Sequence, residues 1–198
     1  MRTPDGQIYE GDLKKYDESP DTTHFSIIDS KGNAVSNTYT LGSSFGSGVT
    51  IKKGGFLMNN QMRNFSHFYG RDDMQYGTSE ANKLEPGKRM ISTQTPTLVF
   101  NPNGDLFMIL GSPGGGRIPN IITQVISNVI DHEMSFTEAV IAPRINQRLE
   151  GNLQLETGFS PDTISLLIER GHKVEESNTM GSVQAIFLAV SYTHLRAH

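Results

Sequence analysis

Residues 22–41, Thr22-Thr23-His24-Phe25-Ser26-Ile27-Ile28-Asp29-Ser30-Lys31-Gly32-Asn33-Ala34-Val35-Ser36-Asn37-Thr38-Tyr39-Thr40-Leu41, decide how the rest of the chain is read. From Thr23 to Asp29 the side chains alternate, Phe25 and Ile27 on one side and His24 and Ser26 on the other. That period of two suits a half-buried strand. Ser30-Lys31-Gly32-Asn33 is turn chemistry, because Gly and Asn tolerate positive φ. Ala34 to Leu41 returns as a second strand, with the β-formers Val35, Thr38, Tyr39 and Thr40. A hairpin in this register carries its far end back beside its beginning, so Thr40 is expected to approach Thr22. His24 is expected on the strand face opposite Thr22, as packing.

Working outward, Gly42 to Gly48 reads as a Gly/Ser loop and Gly55 to Asn60 as a short strand ending in two asparagines. Residues 66–86 are polar with little periodicity and read as a long surface loop. Thr95 to Phe100 and Leu106 to Leu110 are strands around the turn signal Asn101-Pro102-Asn103-Gly104. Ile118, Ile121, Ile122, Val125, Val129 and Ile130 recur at helical spacing. Ser135-Phe136-Thr137-Glu138 is a capping box opening a second helix. Ser160-Pro161 starts a third, closed by Gly171. Val183 to Val190 is a last strand. Strands, then helices, then a strand make an α+β layered domain.

A chain of 198 residues suits one domain or a large piece of one. With 35% hydrophobic residues, 20 Gly and 9 Pro, sheets joined by tight loops are favoured over a helical bundle. A net charge of −4 leaves no basic surface for nucleic acid. The absence of cysteine excludes disulfides, thiol catalysis and cysteine-ligated metals. His132-Glu133 lacks the second His of a zinc-protease helix, so no metal site is expected. No run of 18 apolar residues occurs. Residues 1–21 are polar and read as an exposed linker without a visible export signal, and residues 191–198 read as a non-native tail.

The chemistry starts from Thr22. If the Asp21–Thr22 peptide bond is cut, the freed α-amine lies within reach of the same residue's Oγ and can act as its base. The competing reading is that a Thr pair is ordinary strand composition. Downstream lies Gly111-Ser112-Pro113-Gly114-Gly115-Gly116-Arg117, just ahead of the first helix. Backbone N–H groups at such an entrance attract negative charge, and acyl transfer needs donors for its oxyanion. The loop has neither the Lys-Ser/Thr of a P-loop nor Rossmann spacing, and Ser112 sits in no Gly-x-Ser-x-Gly elbow.

From about Ser19 to Ile186 these motifs resemble the catalytic small subunit of the γ-glutamyltranspeptidases, members of the N-terminal-nucleophile hydrolases. The resemblance implies a four-layer αββα sandwich over residues 22–190 and self-cleavage at Asp21–Thr22. It also implies Thr22 as nucleophile, Thr40 as a hydroxyl bonded to it, and Gly114 and Gly115 as oxyanion donors. Asn59, Asn60, Gln61, Ser92 and Thr93 match the glutamyl pocket, Gln61 for the substrate α-ammonium and Ser92-Thr93 for its α-carboxylate. Two positions depart from the family: Asn64 stands where an acidic residue usually pairs with that ammonium, and Gly42 where many members place Asn. Arg89 and Arg117 are second-tier carboxylate partners. No cofactor is implied. The implied partner is a large subunit from the same precursor, forming a heterodimer and supplying a carboxylate-binding Arg. Glutathione is the implied donor, water or an amino acid the acceptor, and the periplasm or cell exterior the location. Acylases of β-lactam side chains, poly-γ-glutamate depolymerases and noncatalytic homologues are the alternatives.

Overall fold

A computed structural model describes residues 22–66, 80–147 and 151–188. The hairpin forms as its spacing requires. Strands β1 (Thr22–Ile28) and β2 (Ala34–Thr40) pair antiparallel in unbroken register, from Ile28 opposite Ala34 to Thr22 opposite Thr40. Its turn is tied by Asp29, whose carboxylate accepts from Lys31 N at 2.8 Å, Asn33 N at 2.9 Å and Asn33 Nδ2 at 2.7 Å. Those donors, the Asn33 side chain first, hold the Asp29 pKa below its ordinary value.

Then come the two-residue strands β3 (Thr50–Ile51) and β4 (Phe56–Leu57), paired with each other, and β5 (Thr97–Phe100) and β6 (Leu106–Gly111). Helices α1 (Ile118–Ile130) and α2 (Phe136–Ile141) follow, then β7 (Ile145–Asn146), β8 (Leu153–Glu156), α3 (Pro161–Glu169), β9 (Val174–Ser177) and β10 (Gln184–Phe187). One sheet runs β10-β6-β5 and another β7-β8-β9, in which β8 and β9 are parallel. The expected strand over Gly55–Asn60 shrinks to β4, and the β7-β8-β9 sheet was not anticipated. Most of the expected 66–86 loop, and residues 1–21 and 191–198, lie outside the described residues.

The core sits between β6 and α1. Met108 and Leu110 of β6 meet Ile118, Ile121, Ile122 and Val125 of α1, all at most 2% exposed. Each such side chain contributes about 1.5–3 kcal/mol relative to exposure. Strand alternation turns Ile109 and Gly111 to the other face of β6. The hairpin lies on that side, where Ser36 Oγ donates to Leu110 O at 3.0 Å and Ser26 Oγ to Gln184 O at 3.3 Å. Helix, sheet and hairpin thus stack as three layers.

The hairpin's buried side is its polar one. His24 is buried, while Phe25, Ile27, Val35 and Tyr39 are exposed. This corrects the expected orientation of His24: residues two apart share a strand face, so Thr22 and His24 point the same way. The helix caps form as read. Ser135 and Glu138 complete a capping box, and Ser160 accepts from Thr163 N ahead of Pro161. Among the described residues no helix is long and apolar enough to cross a membrane.

Candidate active site

Thr22 opens β1 and Thr40 closes β2, so the antiparallel register alone places the two hydroxyl residues opposite each other. Both line an open cleft with about 430 Å³ of empty space, solvent included. Thr40 Oγ1 accepts from Gly42 N at 3.0 Å. That bond fixes the Thr40 rotamer and leaves its hydroxyl hydrogen for another acceptor.

The glycine loop also reaches the cleft. Gly114 (φ 139°) and Gly115 (φ 55°) both hold conformations that side chains disfavour, and a short 3-10 turn, Gly115–Arg117, leads into α1. Gly115 lines the cleft, whereas Gly114 stands one residue behind it. Thr93 Oγ1 donates to Gly115 O at 2.9 Å, so this side chain also anchors the loop.

The remaining walls are polar. Gln61, Asn64, Ser92 and Thr93 all line the cleft. Asn64 is buried and its Nδ2 donates to Gln61 Oε1 at 2.9 Å, a neutral amide pair. Ser92 Oγ accepts from Gln94 N at 3.2 Å. Asn59 and Asn60 lie behind this wall: Asn59 Oδ1 accepts from Gln61 N at 3.0 Å, and Asn60 Nδ2 donates to Ser43 Oγ at 2.8 Å. Arg89 is exposed, Arg117 is half-buried, and neither lines the cleft. Asp21 lies outside the described residues.

Three contributors were missed in the sequence. Arg63 lines the cleft and donates from Nη2 to Gly42 O at 2.8 Å and from Nη1 to Ser43 Oγ at 3.1 Å. Buried Asn82 donates to Asn64 O at 2.7 Å and accepts from Ile91 N at 2.9 Å, joining the Gln61–Asn64 turn to the segment carrying Ser92 and Thr93. His24 lies two residues along from Thr22, its Nδ1 2.8 Å from Thr38 Oγ1 and its Nε2 3.1 Å from Ser26 Oγ. Its ring covers Gly111, the first residue of the glycine loop, so closely that a Cβ there would fall inside it. Burial lowers the His24 pKa, keeping the ring neutral near pH 7. Only the alternation rule could have flagged His24. Arg63 and Asn82 sit in segments without periodicity. Among the described residues no cluster of His, Cys, Asp and Glu could hold a metal ion.

Chemically, the cleft combines a strand-end hydroxyl, a second hydroxyl across from it, backbone N–H groups beside a helix start, and a wall of amides and hydroxyls. Residues 2–194 match the family model described as γ-glutamyltranspeptidase. The chain is 43% identical over 188 residues to the glutathione hydrolase proenzyme of Escherichia coli, covering 93% of this chain and 32% of that protein. It is 39% identical to the acylase ACY 1 proenzyme of Pseudomonas sp. strain SE83, covering 85% of this chain and 28% of the relative. The solved T380A mutant of Helicobacter pylori γ-glutamyltranspeptidase superposes with a TM-score of 0.78 at 41% identity, over 86% of this chain and 93% of that one. The chain therefore spans about a third of the length of the curated relatives it matches.

Proposed function

Because the chain belongs to the γ-glutamyltranspeptidase family and has its α+β N-terminal-nucleophile fold, we propose that the complete protein transfers γ-glutamyl groups from amides such as glutathione to water or an amine. The carrying observation is the register that sets Thr22 against Thr40 at the mouth of a cleft also lined by Gly115.

The reaction begins with cleavage of Asp21–Thr22, which frees the Thr22 α-amine. Thr22 Oγ attacks the amide carbonyl while that amine accepts the hydroxyl proton. Gly114 and Gly115 N–H groups hold the oxyanion, the amine returns the proton to the leaving nitrogen, and an ester remains on Thr22. Water or an acceptor amine then releases the acyl group. Thr40 orients the Thr22 hydroxyl, and Gln61, Ser92 and Thr93 hold the glutamyl α-substituents. No cofactor takes part.

The partner in this reading is the preceding part of the same precursor, in keeping with the proenzyme names of the relatives. The exposed side of the hairpin, with Phe25, Ile27, Val35 and Tyr39, supports it: these apolar side chains suit a covering layer. That layer would complete an αββα sandwich. An exported location goes with this reading.

A second reading is favoured by one observation. Asn64 meets Gln61 as a neutral amide, so the described lining offers no carboxylate to a substrate ammonium. An acylase working on side chains without that ammonium fits the same machinery. The test uses the complete protein and its Thr22→Ala variant. Intact mass should show cleavage before residue 22 only in the former, with γ-glutamyl anilide turned over faster than an N-acyl counterpart. Cleavage and turnover that persist in Thr22→Ala would refute the nucleophile; faster N-acyl turnover would select the second reading.

A further inference from the structure

We propose that Glu156, far from the cleft in sequence, is a positioning residue for the oxyanion loop, acting through Met180–Ser182. The inference rests on the reading of Gly114 and Gly115 as oxyanion donors.

Glu156 ends β8 and is 8% exposed, as is its ion-pair partner Arg144 at 3.6 Å. Its Oε2 accepts from Arg144 N at 2.8 Å, and its Oε1 accepts from Met180 N. Arg144 in turn donates from Nη2 to Val140 O, the last turn of α2. A buried carboxylate is unfavourable unless donors converge on it, and a buried ion pair adds little net stability over an apolar pair. The ion pair by itself is therefore weak evidence of a purely stabilising role. What the carboxylate does specify is the position of the Met180 backbone, whose side chain is fully buried in the β6–α1 core.

The next two residues press that position onto the loop. Gly181 has φ +70°, and a Cβ there would stand 2.5 Å from both Pro113 O and Ser112 Oγ and 2.7 Å from Ile121 Cδ1. Only glycine lets the two backbones lie this close. Ser182 N donates to Ser112 Oγ at 3.0 Å, and that hydroxyl donates onward to Pro113 O at 2.6 Å. Ser112 is completely buried, which explains a serine that is no nucleophile. Pro113 leads directly to Gly114 and Gly115. The loop is thus held from behind by a segment pinned at Glu156 and in front by Thr93 on Gly115 O. Oxyanion donors act over a narrow distance range, so the backing fixes how well they meet the transition state.

The experiment uses the complete protein and two variants. Glu156→Gln keeps one oxygen for Met180 N–H but turns an amide N–H₂ toward Arg144. Ser112→Ala removes the last link without altering charge. Two inhibitors are compared: a boronic acid analogue of the acyl group, whose adduct on Thr22 places an oxygen in the oxyanion site, and a non-cleavable ground-state amide. Both variants should lower kcat on the order of 10-fold or more with KM within about two-fold, less than the ~10²–10³ for losing a donor outright. Boronate affinity should fall by the same factor while ground-state affinity stays put. Equal losses for both inhibitors, or none for either, would overturn the proposal. If Glu156→Gln fails to mature, Ser112→Ala decides by the same comparison. A wild-type protein that neither cleaves itself nor forms the boronate adduct would instead overturn the assignment of Thr22.

Discussion

Alanine at Gly111 tests whether the strand carrying Thr22 and the loop carrying the proposed oxyanion donors are held as one unit. The new Cβ would land inside the His24 ring. The ring cannot swing aside freely, because Nδ1 is 2.8 Å from Thr38 Oγ1 and Nε2 is 3.1 Å from Ser26 Oγ. Overpacking a well-filled site costs about 1–3 kcal/mol. Losing one of the two ring hydrogen bonds adds about 1 kcal/mol. Gly111→Ala should therefore destabilise the complete protein by roughly 2–4 kcal/mol. Backbone strain adds nothing, since Gly111 is not among the positive-φ glycines. Denaturant titration of wild type, Gly111→Ala, His24→Ala and the double variant measures the effect. His24→Ala opens the space the new methyl needs, so the double variant should regain about 1 kcal/mol or more over the sum of the singles. Turnover should recover in parallel. Additive losses, or a Gly111→Ala cost below about 1 kcal/mol, would show that the ring does not hold the loop.

Two other outcomes follow from the site. Asn64→Asp replaces a donor amide by a carboxylate that only accepts, so Gln61 must turn its N–H₂ toward it and free Oε1. The γ-glutamyl kcat/KM should rise about tenfold, roughly 1.4 kcal/mol of charge-assisted contact, and an unchanged value would remove residue 64 from ammonium recognition. Stability should decline as pH falls below the ordinary histidine value near 6.5. Burial lowers the His24 pKa, so below that value the unfolded chain binds a proton that the folded one refuses. The carboxyls of Asp29, Glu85 and Glu138 are held below their ordinary acidic values, so their contributions are lost at more acid pH than that of His24. Melting midpoints across that window check this, and a flat profile would contradict it.

Local signals carried much of the fold. Strict alternation, a Gly-Asn turn and two Ser caps are encoded within a few residues, so the hairpin, α2 and α3 could be read directly. The Thr22–Thr40 juxtaposition came with the hairpin register. What could not be read depends on partners distant in the chain. Leu153 pairs with Val174 in parallel, and neither Leu-Gln-Leu-Glu nor Val-Glu-Glu-Ser has a clean strand pattern. Arg63 and Asn82 matter through carbonyls they reach in three dimensions, a role invisible to composition. His24 was misplaced through an error of parity rather than of chemistry: its ring is polar, but the hairpin's inner face is polar as well, because it meets backbone carbonyls of β6 and β10.

Asn64 and Gly42, the two positions that the sequence resemblance sets apart, have physically unlike surroundings. The Asn64 side chain answers to Gln61 within one turn. Gly42 belongs to a crowded corner. Its φ of +98° disfavours side chains, and a Cβ there would run into Asn60 Oδ1. Asn60 uses that oxygen to accept from Ser43 N at 3.1 Å, and Arg63 closes the corner through Gly42 O and Ser43 Oγ. An asparagine placed at residue 42 alone is strained, because the space is taken and the backbone resists it. Residue 42, the amide at 60 and the guanidinium at 63 are therefore packed as one unit, whereas the side chain at residue 64 is tied to Gln61 within its own turn. For that reason Asn64→Asp changes one local contact, whereas a side chain at residue 42 has to displace Asn60 Oδ1 and disturb the Arg63 bonds to Gly42 O and Ser43 Oγ.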